Sequence, residues 1–159
     1  LRREELNMLM NRKSRRALTA FAGVLMLAGA GTTGIAQAAR FSATLNGDKV
    51  ARGGDNDGWG RANIRVNDGL NLVCADLEVR SIGHVTSAQI FRGREGQEGD
   101  PVVNLDRPGG HDQDSEDCDN VGDTLADEIQ ANPADFYVLI KTDEFPNGAI
   151  RGQLGPSTG

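Results

Sequence analysis

The sequence is poor in the residues and motifs on which hydrolases, metalloenzymes and nucleotide-binding enzymes depend. Its two histidines, His84 and His111, lie in loop-like sequence and lack the partners that a metal site or a general base needs. It contains no His-Glu-x-x-His motif and no P-loop. We therefore predict a protein that is not an enzyme, with no catalytic residue and two solvated loop histidines.

The sequence also lacks an apolar run long enough to span a bilayer comfortably. The longest, Ala17 to Ala30, has 14 residues, against a hydrocarbon core of about 30 Å. A basic segment precedes it and Ala36-Gln37-Ala38 follows it, which is typical of a secretory signal peptide. A retained amino-terminal anchor is the alternative. We expect residues 1–38 to be an upstream extension and signal peptide cleaved after Ala38, which leaves residues 39–159 as one secreted domain without stable membrane insertion.

Positive charge is scarce in that domain. Residues 1–38 carry 6 of the 17 Lys and Arg and 2 of the 23 Asp and Glu, so residues 39–159 hold 11 against 21, a net charge of −10. Such a field repels nucleic acid and anionic lipid. We expect no nucleic-acid partner. The expected partner is an extracellular protein or surface component, with cations and basic surfaces favoured, and the domain is expected to be a monomer.

There are only two cysteines, Cys74 and Cys118, both in the exported part. In an oxidising compartment the simplest interpretation is one disulfide. A reactive thiol or a metal pair is the alternative, but no further Cys or His stands at ligand spacing.

What the domain does contain is alternation of apolar and polar residues, the pattern of half-buried strands. Ala62, Ile64 and Val66 alternate ahead of Asn67-Asp68-Gly69, and a second alternating run, Leu70 to Val79, follows. This predicts a hairpin, because Asn and Gly tolerate the positive φ of a tight turn. Roughly seven short strands predict an all-β protein, an antiparallel Greek-key sandwich or barrel.

One short helix is predicted near residues 121–131, where apolar residues recur every four positions, a cap at Asp119 or Asn120 is available and Pro133 ends the pattern. Residues 106–120 before it are interpreted as an acidic loop. A closing hairpin is predicted from Phe136–Thr142 and 149–154. Alternation alone does not decide whether the phenylalanine or the tyrosine face of its first strand points inward.

Two segments carry a resemblance to a known family. They are SAQIFRGREGQEGDPVVNL, residues 87–105, and NPADFYVLIKTDEFPNGAIRGQL, residues 132–154. Together they resemble the CHRD domain, the module named after chordin, which also occurs as a single secreted domain in bacteria. The resemblance extends from Phe41 to Leu154. It implies an all-β sandwich with a topology like that of copper/zinc superoxide dismutase, no enzymatic activity, and a cysteine pair placed like Cys74 and Cys118.

The sequence departs from this family at three positions. Typical members read Ala-His-Ile-His where this chain has Ala88-Gln89-Ile90-Phe91, and they have His where it has Lys141. If the three histidines form a metal site in other members, this chain has replaced them with an amide, a ring and a cation, which are poor metal ligands. We predict no transition metal, no cofactor and no dismutase activity. We also expect residue 89 or 91 within about 8 Å of Lys141, with a cation–π contact between Phe91 and Lys141.

Two further features are candidate sites. The acidic loop places five carboxylates within eight residues and offers the oxygen ligands that Ca²⁺ prefers: Asp112, Asp114, Glu116, Asp117 and Asp119. The segment 55–58 could add more, and a solvated loop that serves solubility is the alternative. Arg151 is predicted to be buried and paired with a carboxylate such as Asp76 or Glu78, and ligand binding is its alternative role.

These features predict a non-catalytic binding or structural module at the cell exterior. Two other functions remain open at this point. One is a calcium-dependent adhesion or matrix domain that uses the acidic loop 112–119. The other is a metalloenzyme like superoxide dismutase, against which the missing histidines argue.

Overall fold

The computed structural model describes residues 38–109 and 114–157. The predicted signal peptide up to residue 37, His111 and Asp112 lie outside these residues. The described residues contain one helix, α1 (Asp123–Ala131), and nine strands: β1 (Ala39–Asn46), β2 (Trp59–Asn67), β3 (Leu72–Arg80), β4 (Val85–Arg92), β5 (Pro101–Leu105), β6 (Asp114–Asn120), β7 (Phe136–Thr142), β8 (Ile150–Gln153) and β9 (Gly155–Pro156).

The strands form one antiparallel sheet in the order β5-β4-β7-β8-β1-β2-β3-β6, with β9 added to β1. The link between β8 and β1 is a single residue pair, Asn46 with Arg151, whereas β2–β3 and β4–β7 pair over most of their lengths. The edge strands β5 and β6 approach each other, so the sheet nearly closes around its core. The prediction of an all-β antiparallel fold is confirmed.

The core lies inside this curved sheet. Alternate residues of the strands point into it, and α1 adds Ala126 and Ile129. The largest fully buried side chains are aliphatic apart from Phe136: Leu45, Ile64, Val66, Val73, Leu77, Val79, Ile90, Ile129, Ile140, Ile150 and Leu154. The phenylalanine face of β7 therefore points inward, and the face with Tyr137, Leu139 and Lys141 points outward.

The hairpin predicted around residues 67–69 is confirmed. β2 and β3 pair in register from Trp59 with Arg80 to Asn67 with Leu72. The Asn67 side chain accepts a hydrogen bond from the Leu70 N–H at 3.0 Å. The left-handed residue of the connection is Asn71, with φ 56°, which lies beyond the Asn-Asp-Gly signal. Asparagine tolerates this conformation because its short polar side chain can bond locally.

Residues 114–120 form a strand, so the interpretation of residues 106–120 as a loop is wrong for this part. β6 pairs with β3 from Leu72–Asn120 to Glu78–Asp114, and Cys74 lies opposite Cys118. The two cysteines are joined in a disulfide, with their Cα atoms 3.9 Å apart. Acidic residues are rare in strands, but ladder hydrogen bonds use only the backbone, and charged side chains suit an edge strand.

The helix lies where it is predicted, but its start differs. α1 begins at Asp123, and its N-cap is Gly122, with no side-chain cap, rather than Asp119 or Asn120. Those two residues belong to β6, which holds them in the extended conformation. Pro133 opens a 3-10 turn directly after the helix, as expected of a residue that cannot continue an α-helix.

None of the helices in the described ranges has the length and apolar character needed to cross a membrane.

Candidate binding site on the outer face of the sheet

A second, smaller apolar cluster lies on the outer face of β4 and β7. Phe91, Tyr137 and Leu139 are packed there with Val50, which comes from the loop after β1. Each is at most 8% exposed. Strand alternation explains the cluster, because from Ser87 onward the odd-numbered residues of β4, like those of β7, point away from the core, and Phe91 lies opposite Tyr137. The cluster needs the loop as a cover, since a bare sheet face would leave these rings in water.

Two rings of this cluster stack on each other, and a cation lies at each end of the stack. The Lys141 Nζ lies 5.5 Å from the centroid of the Phe91 ring. The Phe91 and Tyr137 rings stack at 5.3 Å with 13° between their planes. The Arg151 Cζ lies 3.6 Å from the centroid of the Tyr137 ring. We call Lys141, Phe91, Tyr137 and Arg151 the cation–aromatic ladder. Its first contact confirms the predicted proximity of Phe91 to Lys141.

Gln89 lies on the same outer face, but its side chain hydrogen-bonds to neighbours on β4 and β5 rather than joining the ladder. Its Nε2 donates to the Asn104 Oδ1 on β5 at 2.7 Å, and its Oε1 accepts from the Ser87 hydroxyl at 3.0 Å. Lys141 lies opposite Ser87, which is two residues from Gln89 along β4 and on the same face. The three positions at which the sequence departs from typical CHRD members are therefore neighbours on one surface.

Arg151 is buried, with 3% of its surface exposed. Its Nη2 donates to the Arg94 carbonyl oxygen at 2.8 Å, and its plane covers Tyr137. Burial lowers the pKa of Arg151, and electrostatic interactions with Tyr137, Glu95 and Glu98 oppose that shift.

The carboxylate partner predicted for Arg151 is wrong. Among the described residues Arg151 forms no ion pair, and Glu78 pairs instead with Arg80 at 2.8 Å. Asp76 and Glu78 lie on β3, three strands away from β8 in the sheet order. Neighbouring strands are about 4.8 Å apart, so the distance across three of them is too great for contact.

Two loops flank the ladder and are tied together by exposed ion pairs. Lys49 contacts Glu95 at 3.2 Å and Arg52 contacts Glu98 at 2.9 Å. The loop after β1 is thereby joined to the glycine-rich turn after β4. Ion pairs of this kind contribute only about 0–1 kcal/mol each, but the pair of Arg52 and Glu98 lines a pocket of about 230 Å³.

The glycine-rich turn itself is shaped by close contacts. Gly96 has φ +77°, and a Cβ on Gly99 would lie 1.6 Å from the Arg92 carbonyl oxygen. The Gly99 N–H donates to the Tyr137 hydroxyl at 3.2 Å. These glycines therefore allow the turn to fold against the ladder, which agrees with tight-turn chemistry.

The pocket has an excess of positive charge. Arg52, Glu98, Lys141 and Arg151 are its charged lining residues, and Arg52 and Glu98 pair with each other. Within residues 38–109 and 114–157, neither Lys141 nor Arg151 has a carboxylate within ion-pair distance. Two cations without a direct ion pair in the described residues thus line one pocket of a chain whose net charge is −6.

The carboxylates proposed for calcium do not come together. On β6, Asp114 and Glu116 alternate with Asp117 and Asp119 across the two faces of the strand. Glu116 pairs with Arg65 at 2.8 Å. The described part of the chain holds no group of three or more His, Cys, Asp or Glu side chains that could hold a metal ion. The described carboxylates therefore do not form the predicted calcium cluster, and Asp112 lies outside the description.

The other segment considered for calcium faces a different strand. Asp55 is buried, and its N–H donates to the Ala149 carbonyl oxygen at 2.8 Å, so this loop packs beside β8 rather than β6. Burial, and then the neighbouring Asp57, raise the pKa of Asp55. His84 is exposed, as predicted, with its Nδ1 3.1 Å from the Asp143 carboxylate.

The sequence could have indicated part of this site. The alternation Tyr137, Leu139, Lys141 marks one face, and the register that pairs Leu139 with Arg151 completes it. The pocket itself was missed because its walls are loops. Val50 and the ion pairs at Glu95 and Glu98 depend on how two distant turns meet, for which strand periodicity gives no signal.

Comparison with known proteins identifies the family. The family model of the CHRD domain matches residues 41–154, which include all four residues of the ladder. No curated protein and no solved structure matches the chain, so the expected superoxide-dismutase-like topology stays a prediction. Because the match covers more than half of the sequence, this chain belongs to the CHRD domain family.

Proposed function

We propose that this CHRD domain is a non-catalytic binding module that works at the cell exterior, and that the pocket beside the cation–aromatic ladder is its contact site. The observation that carries the proposal is the pair of cations, Lys141 and Arg151, that line the pocket without a carboxylate partner in the described residues. Aromatic rings and arginine are the residue types most enriched in the centres of binding surfaces.

Two features support a role without catalysis. The domain belongs to a family of binding-type modules. At the three positions where typical members of the family have histidine, this chain has Gln89, Phe91 and Lys141, and none of these supplies an imidazole for proton transfer or metal binding.

The proposed location rests on two other features. The disulfide between Cys74 and Cys118 fits an oxidising compartment. The amino-terminal sequence fits a signal peptide cleaved after Ala38, so that residues 39–159 are the exported domain. Amino-terminal sequencing of protein from the medium should begin at Ala39, and recovery of the protein only inside the cell would contradict export.

Site-specific photo-crosslinking tests the contact site. Asn147 lines the pocket and is exposed, so a photoreactive amino acid at this position should capture a partner when the producing cells are illuminated. Asp114 on β6 is equally exposed and lies outside the pocket, so the same label there is the matched control. Capture from position 147 and not from 114 supports the proposal. Equal capture, or capture from 114 alone, would refute the pocket as the contact site.

A further inference from the structure

Arg151 is the residue from which a ligand class can be inferred. A guanidinium carries five N–H donors, and within the described residues one side-chain hydrogen bond leaves Arg151, to the Arg94 carbonyl. Removing a charged group from water without a counter-charge is costly. Arg151 is 3% exposed, yet it lines the pocket. Glu95 and Glu98 act on Arg151 electrostatically, but neither lies within ion-pair distance, and an anion bound in the pocket would supply that direct contact.

Lys141 adds a second positive charge at the other end of the stacked rings. Its ammonium contacts the Phe91 ring at 5.5 Å and has no ion-pair partner in the described part of the chain. The two cations therefore border the same aromatic surface from opposite ends. An anionic group matches this arrangement, because both cations line the pocket and cations form their strongest hydrogen bonds with anionic acceptors.

The size and charge of the pocket narrow the class of anion. Its volume of about 230 Å³ is below the roughly 300–1,000 Å³ of pockets for drug-sized ligands, so it suits one small group. Glu98 also lines the pocket, and the chain is acidic overall, so a dianion such as phosphate meets more repulsion than a monoanion. A planar carboxylate also matches the fork of a guanidinium.

Resting on the proposed function, we propose that the pocket binds a carboxylate that pairs with Arg151, with Lys141 as the second cation of the pocket lining. The carboxylate belongs to a small free acid or to an acidic peptide, and both present the same group to the two cations. Anions approach against the field of the whole domain, so the pocket selects through contacts at short range.

Binding is measured by nuclear magnetic resonance on the disulfide-bonded protein, from changes in the chemical shifts of the backbone amides of residues 137–141 and 150–153. The probes are acetate, a blocked peptide with one aspartate side chain, and a peptide whose only carboxylate is its carboxyl terminus. The amide analogues of all three, and inorganic phosphate, are the controls. We expect the carboxylates to shift these amides and the amide analogues to leave them unchanged. The relative affinities of the three carboxylates show which source the pocket prefers.

Lys141→Met is the main variant, because Lys141 is half-buried and methionine keeps its contact with Phe91. It should weaken carboxylate binding about 10-fold, because the pocket loses the attraction of one nearby positive charge. Arg40→Met removes a cation from an exposed position on β1, outside the pocket, and should leave the affinity unchanged. Arg151→Met should abolish binding. Because Arg151 is buried, this variant could fail to fold, and in that case Lys141→Met alone tests whether the pocket binds the carboxylate.

Three results would overturn the carboxylate assignment. They are no shift at these amides with any carboxylate, equal weakening by Lys141→Met and Arg40→Met, or tighter binding of phosphate than of the carboxylates. If crosslinking from position 147 still captures a partner, the binding module stands and only the ligand class fails. If a carboxylate binds but no partner is captured from position 147, the ligand class stands and the proposed contact with a partner fails.

Discussion

Replacing Cys74 and Cys118 with alanine should remove about 4 kcal/mol from the free energy of unfolding. The bond joins residues 44 positions apart, and the chain-entropy relation for a loop of that length gives about 4 kcal/mol. Little packing is lost at the same time, because Cys118 is exposed and Cys74 is half-buried on the outer face of β3. The core-facing neighbours of Cys74, Val73 and Ala75, remain in place. The loss is a large share of the roughly 5–15 kcal/mol typical of a domain.

Urea unfolding followed by circular dichroism measures this loss. The dependence of the free energy on urea should also become steeper, because an unfolded chain without the bond exposes more surface. Reduction of the unaltered protein is the internal control and should reproduce both changes. A loss below about 1 kcal/mol would refute the reasoning, since it would mean that β6 is held by its ladder and that the bond does not restrict the unfolded chain.

Three other predictions address charge, backbone and metal. Burial, and then Asp117 and Asp106, raise the pKa of Asp119 above 3.8, so the charged carboxylate opposes folding once the pH has risen through the folded pKa, whereas the protonated group does not. Asp119→Asn should therefore raise the urea midpoint at pH 7 but not near pH 3. A lower midpoint at pH 7 would contradict this. Gly99→Ala should cost about 1–3 kcal/mol in thermal unfolding, because its Cβ would overlap a carbonyl oxygen. Gly83→Ala, whose Cβ would have no neighbour closer than 3.9 Å, should stay within about 0.5 kcal/mol, and equal losses would be evidence against the close contact. Elemental analysis of protein purified without a tag should find no stoichiometric zinc or copper, whereas one ion per chain that survives dialysis against a weak chelator would overturn the argument from the replaced histidines.

Most strands of the fold could be predicted from the alternation of apolar and polar residues, and β6, which lacks this alternation, could not. β2 and β3 were predicted because Ile64 and Val73, like their alternate neighbours, must reach the core. β6 was missed because Asp114, Glu116 and Asp119 give no apolar alternation. It is a strand because β3 offers a free edge for backbone hydrogen bonds and the disulfide holds it there, and neither cause is visible in local sequence.

The site was predictable only to the extent that strand alternation sets it. The contact between Phe91 and Lys141 followed from placing their two strands side by side. The hydrogen-bond partner of Arg151 could not be predicted in this way, because the accepting carbonyl belongs to Arg94, in a turn whose path depends on Gly96 and Gly99. The inward face of β7 was also undecidable, since both of its faces are apolar: one fills the core, and the other fills the small outer cluster.

The claim that the ladder is a contact surface rather than a brace for the sheet is tested most directly by one measurement. It is the yield of crosslinked partner from the photoreactive residue at position 147, compared between the unaltered protein and Lys141→Met. The cation–π contact of the half-buried Lys141 is worth about 1 kcal/mol, and methionine keeps the packing against Phe91, so the substitution should leave the unfolding midpoint nearly unchanged. We expect the crosslinked yield to fall severalfold at that unchanged stability. An unchanged yield together with a clearly lowered unfolding midpoint would contradict it and would make Lys141 part of the scaffold.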